Sequence, residues 1–353
     1  MSGCASPSQT RSSREPVSTD TGSVVAYQAE DNILQWYDIP YAQAPVGDLR
    51  WRAPKALPVT DAPIVRSADP IICPQEAGFV SGVEGESAIG SEDCLYLDVT
   101  APSDADGSLP VMFWIHGGGN TAGHKNDYDF SRLAANQNVV VVTINYRLGP
   151  LGWFSHPALD KGPGAIANFG TLDIIAALGW VQRNIAQFGG DKNNVTIFGE
   201  SAGGHNVFTL LASPLSEGLF HKAISQSGYV RSMSPREAYN RDREFPEIDR
   251  GSWAFTGELG LDPETVSAEA LREIDSSKVI STYFGMPYDH RSPGIINDGV
   301  VIPSEGFAAA LANPQYAKTN VSVMAGANNE EVTLWMGLNR YFVDASYPLT
   351  KWL

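Results

Sequence analysis

Residues 196–206, TIFGESAGGHN, constrain the fold of this chain more than any other stretch. A β-rich run leads into GESAG, which fits the pattern Gly-x-Ser-x-Gly, and small residues follow it. In that pattern a serine occupies a strained turn between a strand and a helix, and the flanking glycines make room for neighbouring strands. The stretch therefore predicts strand–turn–helix units, with Ser201 at the end of a strand as a candidate nucleophile.

The rest of the chain repeats this alternation of strands and helices. Residues 171–190 place apolar side chains at three- and four-residue steps, which predicts a helix that ends at two glycines. Short apolar runs typical of strands occupy residues 94–102, 109–119, 139–149, 195–199, 221–228 and 321–331. Such alternation predicts an α/β protein with a mostly parallel central sheet and helices on both faces.

Composition divides the chain unevenly and excludes several kinds of partner. Residues 1–22 are polar and rich in serine, threonine and proline, which predicts a disordered tail. Residues 23–353 form the predicted α/β domain, with an irregular cap-like insertion at about 231–315.

The net charge of −16 repels nucleic acid and anionic lipid. No apolar run is long enough to span a membrane, and we predict neither a metal nor a cofactor.

A second glycine-rich stretch points to acyl-transfer chemistry. His116 is followed by Gly117, Gly118 and Gly119 at the end of an apolar run. Ester hydrolysis passes through a tetrahedral oxyanion, and glycines allow main-chain N–H donors to approach such a group closely. Because this run comes one strand–loop unit before Ser201, we interpret it as part of an oxyanion hole and not as a flexible turn.

The cysteines bear on the compartment of the protein. From spacing alone, Cys73 and Cys94 form either a disulfide or two buried thiols, and a disulfide requires an oxidising compartment. Ser2, Gly3 and Cys4 resemble the end of a bacterial lipoprotein signal, although no apolar region precedes them. A lipid anchor at Cys4 and a chance cysteine in a polar tail are the two alternatives.

Several longer motifs together resemble the type-B carboxylesterase/lipase family, the relatives of cholinesterases. EDCLYLDV (92–99) and FGGDKNNVTIFGESAGG (188–204) are similar to two signatures of that family, and IPYAQAPVGDLRW, NYRLGPLGW, FHKAISQSG and INDGVVIP are similar to further segments. The resemblance extends from about residue 24 to the end. It implies the α/β-hydrolase fold and makes the Cys73–Cys94 disulfide the expected pairing. We therefore expect an extracytoplasmic protein that is periplasmic, secreted or lipid-anchored in a bacterial envelope.

The resemblance also implies roles for the residues of a catalytic site. Ser201 would be the nucleophile. The N–H groups of Gly118, Gly119 and Ala202 would bind the oxyanion.

The resemblance further implies that an acidic residue of this chain belongs to the catalytic triad. In the stretch GANNEEV, Glu331 would be the triad acid, with Glu330 as its adjacent competitor and Val332 in place of the family's glycine. Glu200 and His116 would support the site without contacting the ester.

No histidine in this sequence fits the role of general base. In this fold the triad histidine follows the acid, but all six histidines precede Glu331: His116, His124, His156, His205, His221 and His290. The turn at Ser201 points the serine away from the axis of the helix that carries His205. Because the family is longer than this chain, we expect a truncated chain that lacks the last strand and helix of its sheet. It would also lack the catalytic histidine and be inactive alone.

The expected activity of the intact enzyme is hydrolysis of small carboxylic esters through an acyl-enzyme. A non-catalytic binding or adhesion module of the cholinesterase type is the alternative, and the presence of Ser201 argues against it. Glu84 replaces the tryptophan that binds choline in cholinesterases, so we expect a broad-specificity bacterial esterase for short to medium acyl esters. The sequence does not indicate an oligomeric state.

Overall fold

A computed structural model describes residues 15–28, 32–78, 83–159, 164–247, 251–286, 294–316, 318 and 320–331. The strands within these residues are β1 (Val17–Ser18), β2 (Ser23–Val24), β3 (Tyr27–Gln28), β4 (Ile33–Pro40), β5 (Gln75–Gly78), β6 (Val83–Ile89), β7 (Tyr96–Pro102), β8 (Leu109–Ile115), β9 (Val140–Ile144), β10 (Gly190–Glu200), β11 (Lys222–Gln226), β12 (Ser232–Met233), β13 (Ile295–Ile296) and β14 (Ser322–Gly326). The α-helices are α1 (Ser131–Gln137), α2 (Gly149–Gly152), α3 (Phe169–Asn184), α4 (Ala202–Ala212), α5 (Pro235–Tyr239), α6 (Ser252–Glu258), α7 (Ala268–Arg272), α8 (Ser276–Gly285) and α9 (Phe307–Ala312).

One large sheet organises the described residues. Its strand order is β14-β11-β10-β8-β9-β7-β4-β3. The strands from β14 to β9 run parallel to their neighbours, whereas β7, β4 and β3 complete the sheet with antiparallel pairs. The strand β9 is buried along its whole length, VVVTI, as expected for a strand covered on both faces. The mostly parallel sheet predicted from the sequence is confirmed.

Apolar layers cover both faces of this sheet. Along β8, Phe113 and Ile115 join a layer that includes Ile174 of α3. Between them, Trp114 joins a second layer that includes Ala134 of α1. Each fully buried side chain of this size contributes about 1.5–3 kcal/mol to folding. The alternation along β8 therefore fixes which helix lies on which face.

Four neighbouring parallel strands end at one edge of the sheet, and this arrangement positions the candidate site. The strand β8 leads into Gly117, β10 into Ser201, β11 into Ser227, and β14 into the loop that contains Glu331. Loops at the carboxyl ends of adjacent parallel strands lie next to one another and commonly hold ligands.

Two predicted elements have different bounds in the structure. The strand predicted at 195–199 begins earlier, because Gly190 already pairs with Leu109 of β8. The helix predicted at 171–190 spans Phe169–Asn184 and continues as a short 3₁₀ turn. In both cases the local pattern marks the element but not its ends.

The prediction of a disordered tail over residues 1–22 is wrong for residues 15–22. The strand β1 pairs with β2, and the carboxylate of Asp20 accepts hydrogen bonds from Arg183 Nε at 2.5 Å and Asn184 Nδ2 at 2.7 Å. The hydrogen bonds from Arg183 and Asn184, at the end of α3, hold residues 15–22 in place although this segment has few apolar residues. The local sequence does not reveal partners so far away in the chain. Residues 1–14, including Cys4, lie outside the described residues.

The stretch predicted as a cap-like insertion is largely helical where it is described. It contains α5 to α9 and the paired strands β12 and β13. Phe255, Leu271 and Val279 from its helices pack with Trp51 and Phe154 in a separate apolar cluster. Apart from residues 15–22, the division into tail, domain and cap-like insertion stays a prediction. Among the residues described, no helix has the length and apolar character needed to cross a membrane.

Candidate active site

Ser201 lies on the turn between β10 and α4 in a strained main-chain conformation. Its φ of 56° and ψ of −118° are rare for a residue with a side chain. Its N–H donates to the oxygen of Gln226 at 2.8 Å, and its oxygen accepts from the N–H of His205 at 2.9 Å. The turn is therefore held from one side by the neighbouring strand β11 and from the other by α4.

The glycines beside Ser201 are required by close packing. A Cβ on Gly203 would lie 2.0 Å from the main-chain oxygen of Ile115 in β8, and a Cβ on Gly199 would lie 2.7 Å from the same oxygen. Any side chain at either position would displace main chain. This is the crowding by a neighbouring strand that the Gly-x-Ser-x-Gly pattern predicts.

The glycine loop that follows β8 lies against this turn. A Cβ on Gly117 would lie 3.4 Å from Cβ of Ser201. Gly118 and Gly119 have φ values of +93° and +64°, which favour glycine. The oxygen of Gly118 accepts two main-chain hydrogen bonds from within the loop, each 3.0 Å long. The loop is thus a closed turn with a defined shape beside the serine.

In the part of the chain that the structure describes, three main-chain N–H groups of the glycine loop and the turn at Ser201 have no acceptor. Across the ranges that the structure describes, the N–H groups of Gly118, Gly119 and Ala202 donate no hydrogen bond. Ala202 is the first residue of α4, and the first N–H groups of a helix have no helical partner and favour negative charge. These are the three donors that the sequence predicts for an oxyanion hole, a role that stays a prediction.

His116 packs beneath the glycine loop. Its ring Nδ1 lies 2.9 Å from the oxygen of Gly117, and its ring stacks on Tyr146 with 4.4 Å between the centroids. Burial lowers the pKa of His116 to about 4, so the imidazole is neutral at neutral pH. In the neutral form Nδ1–H donates to Gly117, and the Tyr146 hydroxyl donates to the His116 oxygen at 2.7 Å. These contacts shape the start of the loop.

Two buried asparagines join the glycine loop to α4, the helix that follows Ser201. Asn206 on α4 donates from Nδ2 to Oδ1 of Asn120 at 2.8 Å, and the oxygen of Asn120 accepts from the N–H of Gly149 at 2.7 Å. Both side chains are buried. The sequence analysis missed this pair, because a single asparagine in a loop or a helix carries no pattern that reveals its partner.

Glu331 lies on the other side of Ser201, after β14. Its Oε2 accepts from the Ser227 hydroxyl at 3.0 Å and from the N–H of Asn328 at 2.8 Å. Ser227 has a φ of 51°, and its N–H donates to the oxygen of Gly326 at 2.7 Å. The adjacent Glu330 is exposed. Ser227 was not identified from the sequence, where only its place directly after an apolar run distinguishes it.

Glu200 is a half-buried carboxyl group directly before Ser201. Burial raises its pKa, and the negative charge of Glu331 raises it further. Burial and then the charge of Glu200 raise the pKa of Tyr128. Two carboxyl groups that interact beside the serine would stabilise a cation there, as the imidazolium of a histidine base is stabilised in acyl transfer.

The described residues hold no imidazole that bonds Ser201, whose Oγ forms no hydrogen bond within them. The ring of His205 packs against Tyr229 and Phe307, with centroid distances of 4.0 and 5.4 Å. Burial lowers the pKa of His205 to about 3. His290 lies outside the described residues. Within them there is also no group of three or more His, Cys, Asp or Glu residues that could hold a metal ion.

Comparisons with known proteins identify relatives over most of this chain. A family model described as the carboxylesterase family matches residues 16–345. The para-nitrobenzyl esterase of Bacillus subtilis (strain 168) is 38% identical over 281 residues, which cover 78% of this chain and 57% of that protein. The fumonisin B1 esterase of Sphingopyxis macrogoltabida is 40% identical over 324 residues, which cover 89% of this chain and 55% of that protein. The chain thus spans about half the length of these relatives.

Solved structures show the same architecture. A structure of PNB esterase matches with a TM-score of 0.77 at 33% identity, over 91% of this chain and 65% of that one. A carboxylesterase from Geobacillus stearothermophilus matches with a TM-score of 0.79 at 32% identity, over 93% of this chain and 64% of that one. Together with the sheet and helices above, these matches confirm the α/β-hydrolase fold.

Proposed function

The chain belongs to the carboxylesterase family, and we propose that it carries the nucleophile, the oxyanion hole and the acid of a serine carboxylic ester hydrolase. The observation that carries this proposal is a set of three N–H groups, from Gly118, Gly119 and Ala202, that donate no hydrogen bond within the described residues and belong to the glycine loop and the helix that flank Ser201. A binding protein has no need for unpaired donors beside a strained serine, whereas acyl transfer does.

The reaction follows from this geometry. A general base takes the proton of the Ser201 hydroxyl as its oxygen attacks the ester carbonyl, and the carbonyl oxygen becomes an oxyanion that the three N–H groups bind. The protonated base then gives this proton to the departing alcohol. Collapse of this intermediate expels the alcohol and leaves an acyl group on Ser201, which water then releases as the acid. Loss of one such donor typically lowers turnover by about 10²–10³-fold, so the shape of the glycine loop bears directly on the rate.

We assign the acid of the triad to Glu331. The hydrogen bonds from Ser227 and Asn328 hold its carboxylate, while Glu330 is exposed. A carboxylate in this role orients the histidine base and stabilises the imidazolium that forms. Glu200 and His116 support the site, the first by its charge and the second by shaping the glycine loop.

The base of the triad is, in this proposal, none of the described histidines. His116 and His205 are the nearest in sequence to the loop and to Ser201, but each ring is packed elsewhere and forms no bond with the serine. We therefore propose that the base is supplied from outside the described residues. Without that base, Ser201 should hydrolyse esters slowly.

Added imidazole tests this function directly, because a free imidazole can replace a missing histidine base. The hydrolysis of p-nitrophenyl acetate would be measured with and without imidazole for the chain and for Ser201→Ala, which reports the background reaction. We expect an imidazole-dependent rate well above that of Ser201→Ala, together with an acetyl group on Ser201 in the mass spectrum. Equal rates in two folded proteins would contradict the proposal.

The second candidate function is a non-catalytic binding module. The observation that favours it is the absence of a hydrogen bond to Ser201 Oγ in the part of the chain described here. Under this alternative, ester analogues would bind without acylating the serine. The imidazole experiment separates the two candidates, because only an esterase site forms the acetyl-enzyme.

We further propose small esters with short to medium acyl chains as substrates and an extracytoplasmic location. The substrate class is supported by the esterase names of the relatives, which describe those proteins. The location is supported by the bond between Cys73 and Cys94, since structural disulfides persist in oxidising compartments. Hydrolysis of p-nitrophenyl esters of increasing acyl length would test the substrate class. Fractionation of the native host would test the location.

A further inference from the structure

We propose that Gln75 is a positioning residue, which ties the glycine loop to the Cys73–Cys94 disulfide and so sets the geometry of the oxyanion donors. The inference rests on the proposed role of Gly118 and Gly119. It adds a residue that neither the motifs nor the family resemblance identified.

The side chain of Gln75 is fully buried, with 0% exposure, at the start of β5. Its Nε2 donates to the oxygens of Cys73 and Gly123, each at 3.1 Å, and its Oε1 accepts from the N–H of Gly123 at 2.8 Å. One amide thus bonds both main-chain groups of a single loop residue. The network also fixes the orientation of the amide, because a reversed amide would place donor against donor.

Gly123 is in turn packed against the first residues of the glycine loop. It has a φ of +101°, and a Cβ on it would lie 2.6 Å from Nδ1 of His116 and 3.0 Å from the oxygen of Gly117. Only glycine therefore fits at this position beside His116 and Gly117. The hydrogen bonds from Gln75 hold both main-chain groups of Gly123 there, so Gln75 sets the position of Gly123 relative to the glycine loop.

The other end of this connection is anchored in the central sheet. The disulfide joins Cys73 to Cys94, and the oxygen of Cys94 accepts from the N–H of Tyr96 at 2.8 Å, where β7 begins. The N–H of Ser91 also donates to the oxygen of Ile72 at 2.9 Å. The disulfide and the main-chain hydrogen bonds thus hold the carbonyl group of Cys73, which accepts a hydrogen bond from Nε2 of Gln75.

Three variants separate a positioning role from general stabilisation. Gln75→Leu removes all three hydrogen bonds, whereas Gln75→Glu, whose buried carboxyl group is protonated, keeps an acceptor for the N–H of Gly123 and one donor in place of two. Gln182→Leu is the matched control, because Gln182 also donates to two main-chain oxygens, those of Lys192 and Leu219, away from the proposed site. Each protein would be tested for its unfolding midpoint and for its imidazole-dependent rate of Ser201 acetylation.

We expect Gln75→Leu to acetylate Ser201 roughly 10–100-fold more slowly, less than the full loss of an oxyanion donor, with Gln75→Glu in between. The acetylation rate of Gln182→Leu should stay within about twofold of that of the unchanged chain, even if its unfolding midpoint is lower. Hydrogen bonds remote from the glycine loop do not set the positions of the oxyanion donors. Equal rates for Gln75→Leu and the unchanged chain, or equal losses in Gln75→Leu and Gln182→Leu, would overturn the inference. If Gln75→Leu does not fold, Gln75→Glu carries the same comparison.

Hydrogen exchange over residues 117–122 gives a readout that needs no chemistry. We expect these amides to exchange at least tenfold faster in Gln75→Leu or Gln75→Glu and at an unchanged rate in Gln182→Leu. Unchanged exchange in the Gln75 variants would overturn the inference whether or not Ser201 reacts. An unchanged chain that never acetylates, but whose loop loosens in the Gln75 variants, would overturn the proposed function and leave the positioning role supported.

Discussion

The two sides of Ser201 are built in different ways. Toward β8, the glycine loop packs main chain against main chain, and buried side chains such as Gln75 and Asn120 hold it. Toward β14, two hydrogen bonds hold Glu331 beside a strand of which every residue is exposed. Met324 of that strand is 66% exposed, although it is apolar.

This difference shows which parts of the proposed site are determined by close packing. The β8 side depends on main-chain approaches so close that only glycine fits and on buried hydrogen bonds such as those of Gln75, so a single substitution there disturbs closely packed groups. The β14 side depends on the carboxylate of Glu331 and its two hydrogen-bond donors in a partly exposed loop. We therefore expect substitutions on the β8 side to affect folding strongly and substitutions on the β14 side to affect it weakly.

The largest effect is expected from Lys125, which lies just beyond the glycine loop. Its Nζ is 2.7 Å from Asp38 and 2.8 Å from Asp98, with the lysine side chain 1% exposed. Lys125→Met would leave two carboxylates buried without their cation and should lower the free energy of unfolding by about 3–5 kcal/mol, measured in urea.

The control for Lys125 is an exposed ion pair. Arg236 contacts Glu244 at the surface, where solvent screens the pair, so Arg236→Met should leave the free energy of unfolding unchanged. If the two variants lose similar amounts of unfolding free energy, the buried ion pairs of Lys125 with Asp38 and Asp98 do not stabilise the β8 side more than a surface ion pair would.

The next effect is expected at the turn itself. Gly203→Ala would press a methyl group into the oxygen of Ile115 and should lower the free energy of unfolding by about 3 kcal/mol. The matched control is Gly257→Ala on α6, where no atom lies within 4 Å of the added Cβ. That control should stabilise the chain by about 0.5–1 kcal/mol, because alanine favours a helix over glycine. An unchanged free energy of unfolding in Gly203→Ala would show that the main chain of β8 does not crowd this position.

The folding stability of the chain should also depend on pH through the buried ring of His205 on α4. Burial lowers the pKa of His205 to about 3, whereas an unfolded histidine titrates near 6.5. The unfolded chain therefore binds the proton first, so the stability is complete above about pH 6.5 and declines as the pH falls toward 3. From pH 7 to pH 5 this histidine should account for a loss of about 2 kcal/mol.

His205→Gln isolates that contribution, because glutamine does not titrate. The variant should lose less stability than the unchanged chain between pH 7 and pH 5, as measured by urea unfolding at each pH. Parallel pH profiles for the two proteins would mean that His205 is not buried in its neutral form.

The smallest effect is expected on the acid side. Glu331→Gln keeps acceptors for Ser227 and Asn328 but loses the charge that strengthens both bonds, so we expect a loss of about 1 kcal/mol. Glu330→Gln changes an exposed carboxylate and should have no measurable effect. A loss as large as that of Gly203→Ala would contradict the comparison between the two sides.

The sequence predicts the β8 side well because its geometry is recorded in short motifs. Gly199 and Gly203 are required by the approach of β8, and the run after His116 supplies the glycine loop beside Ser201. The central strands were likewise predictable, because a strand buried on both faces requires a continuous apolar run such as VVVTI.

The features that the sequence did not predict are single polar contacts between distant segments. Gln75 bonds Gly123, Asp20 bonds Asn184, and Ser227 bonds Glu331, each from one side chain with no periodic pattern around it. Such contacts depend on the tertiary fold, which brings together segments that are far apart in the chain. For the same reason, the bounds of the ordered N-terminal residues were predicted wrongly.

Covalent labelling with a fluorophosphonate tests most directly whether the nucleophile and its oxyanion hole are already formed. The labelled residue would be identified by peptide mass spectrometry, with and without imidazole, in the native chain, in urea and in Ser201→Ala. The account predicts one adduct, on Ser201, that forms faster with imidazole and disappears in urea. No adduct, or the same amount of adduct in Ser201→Ala, would contradict it.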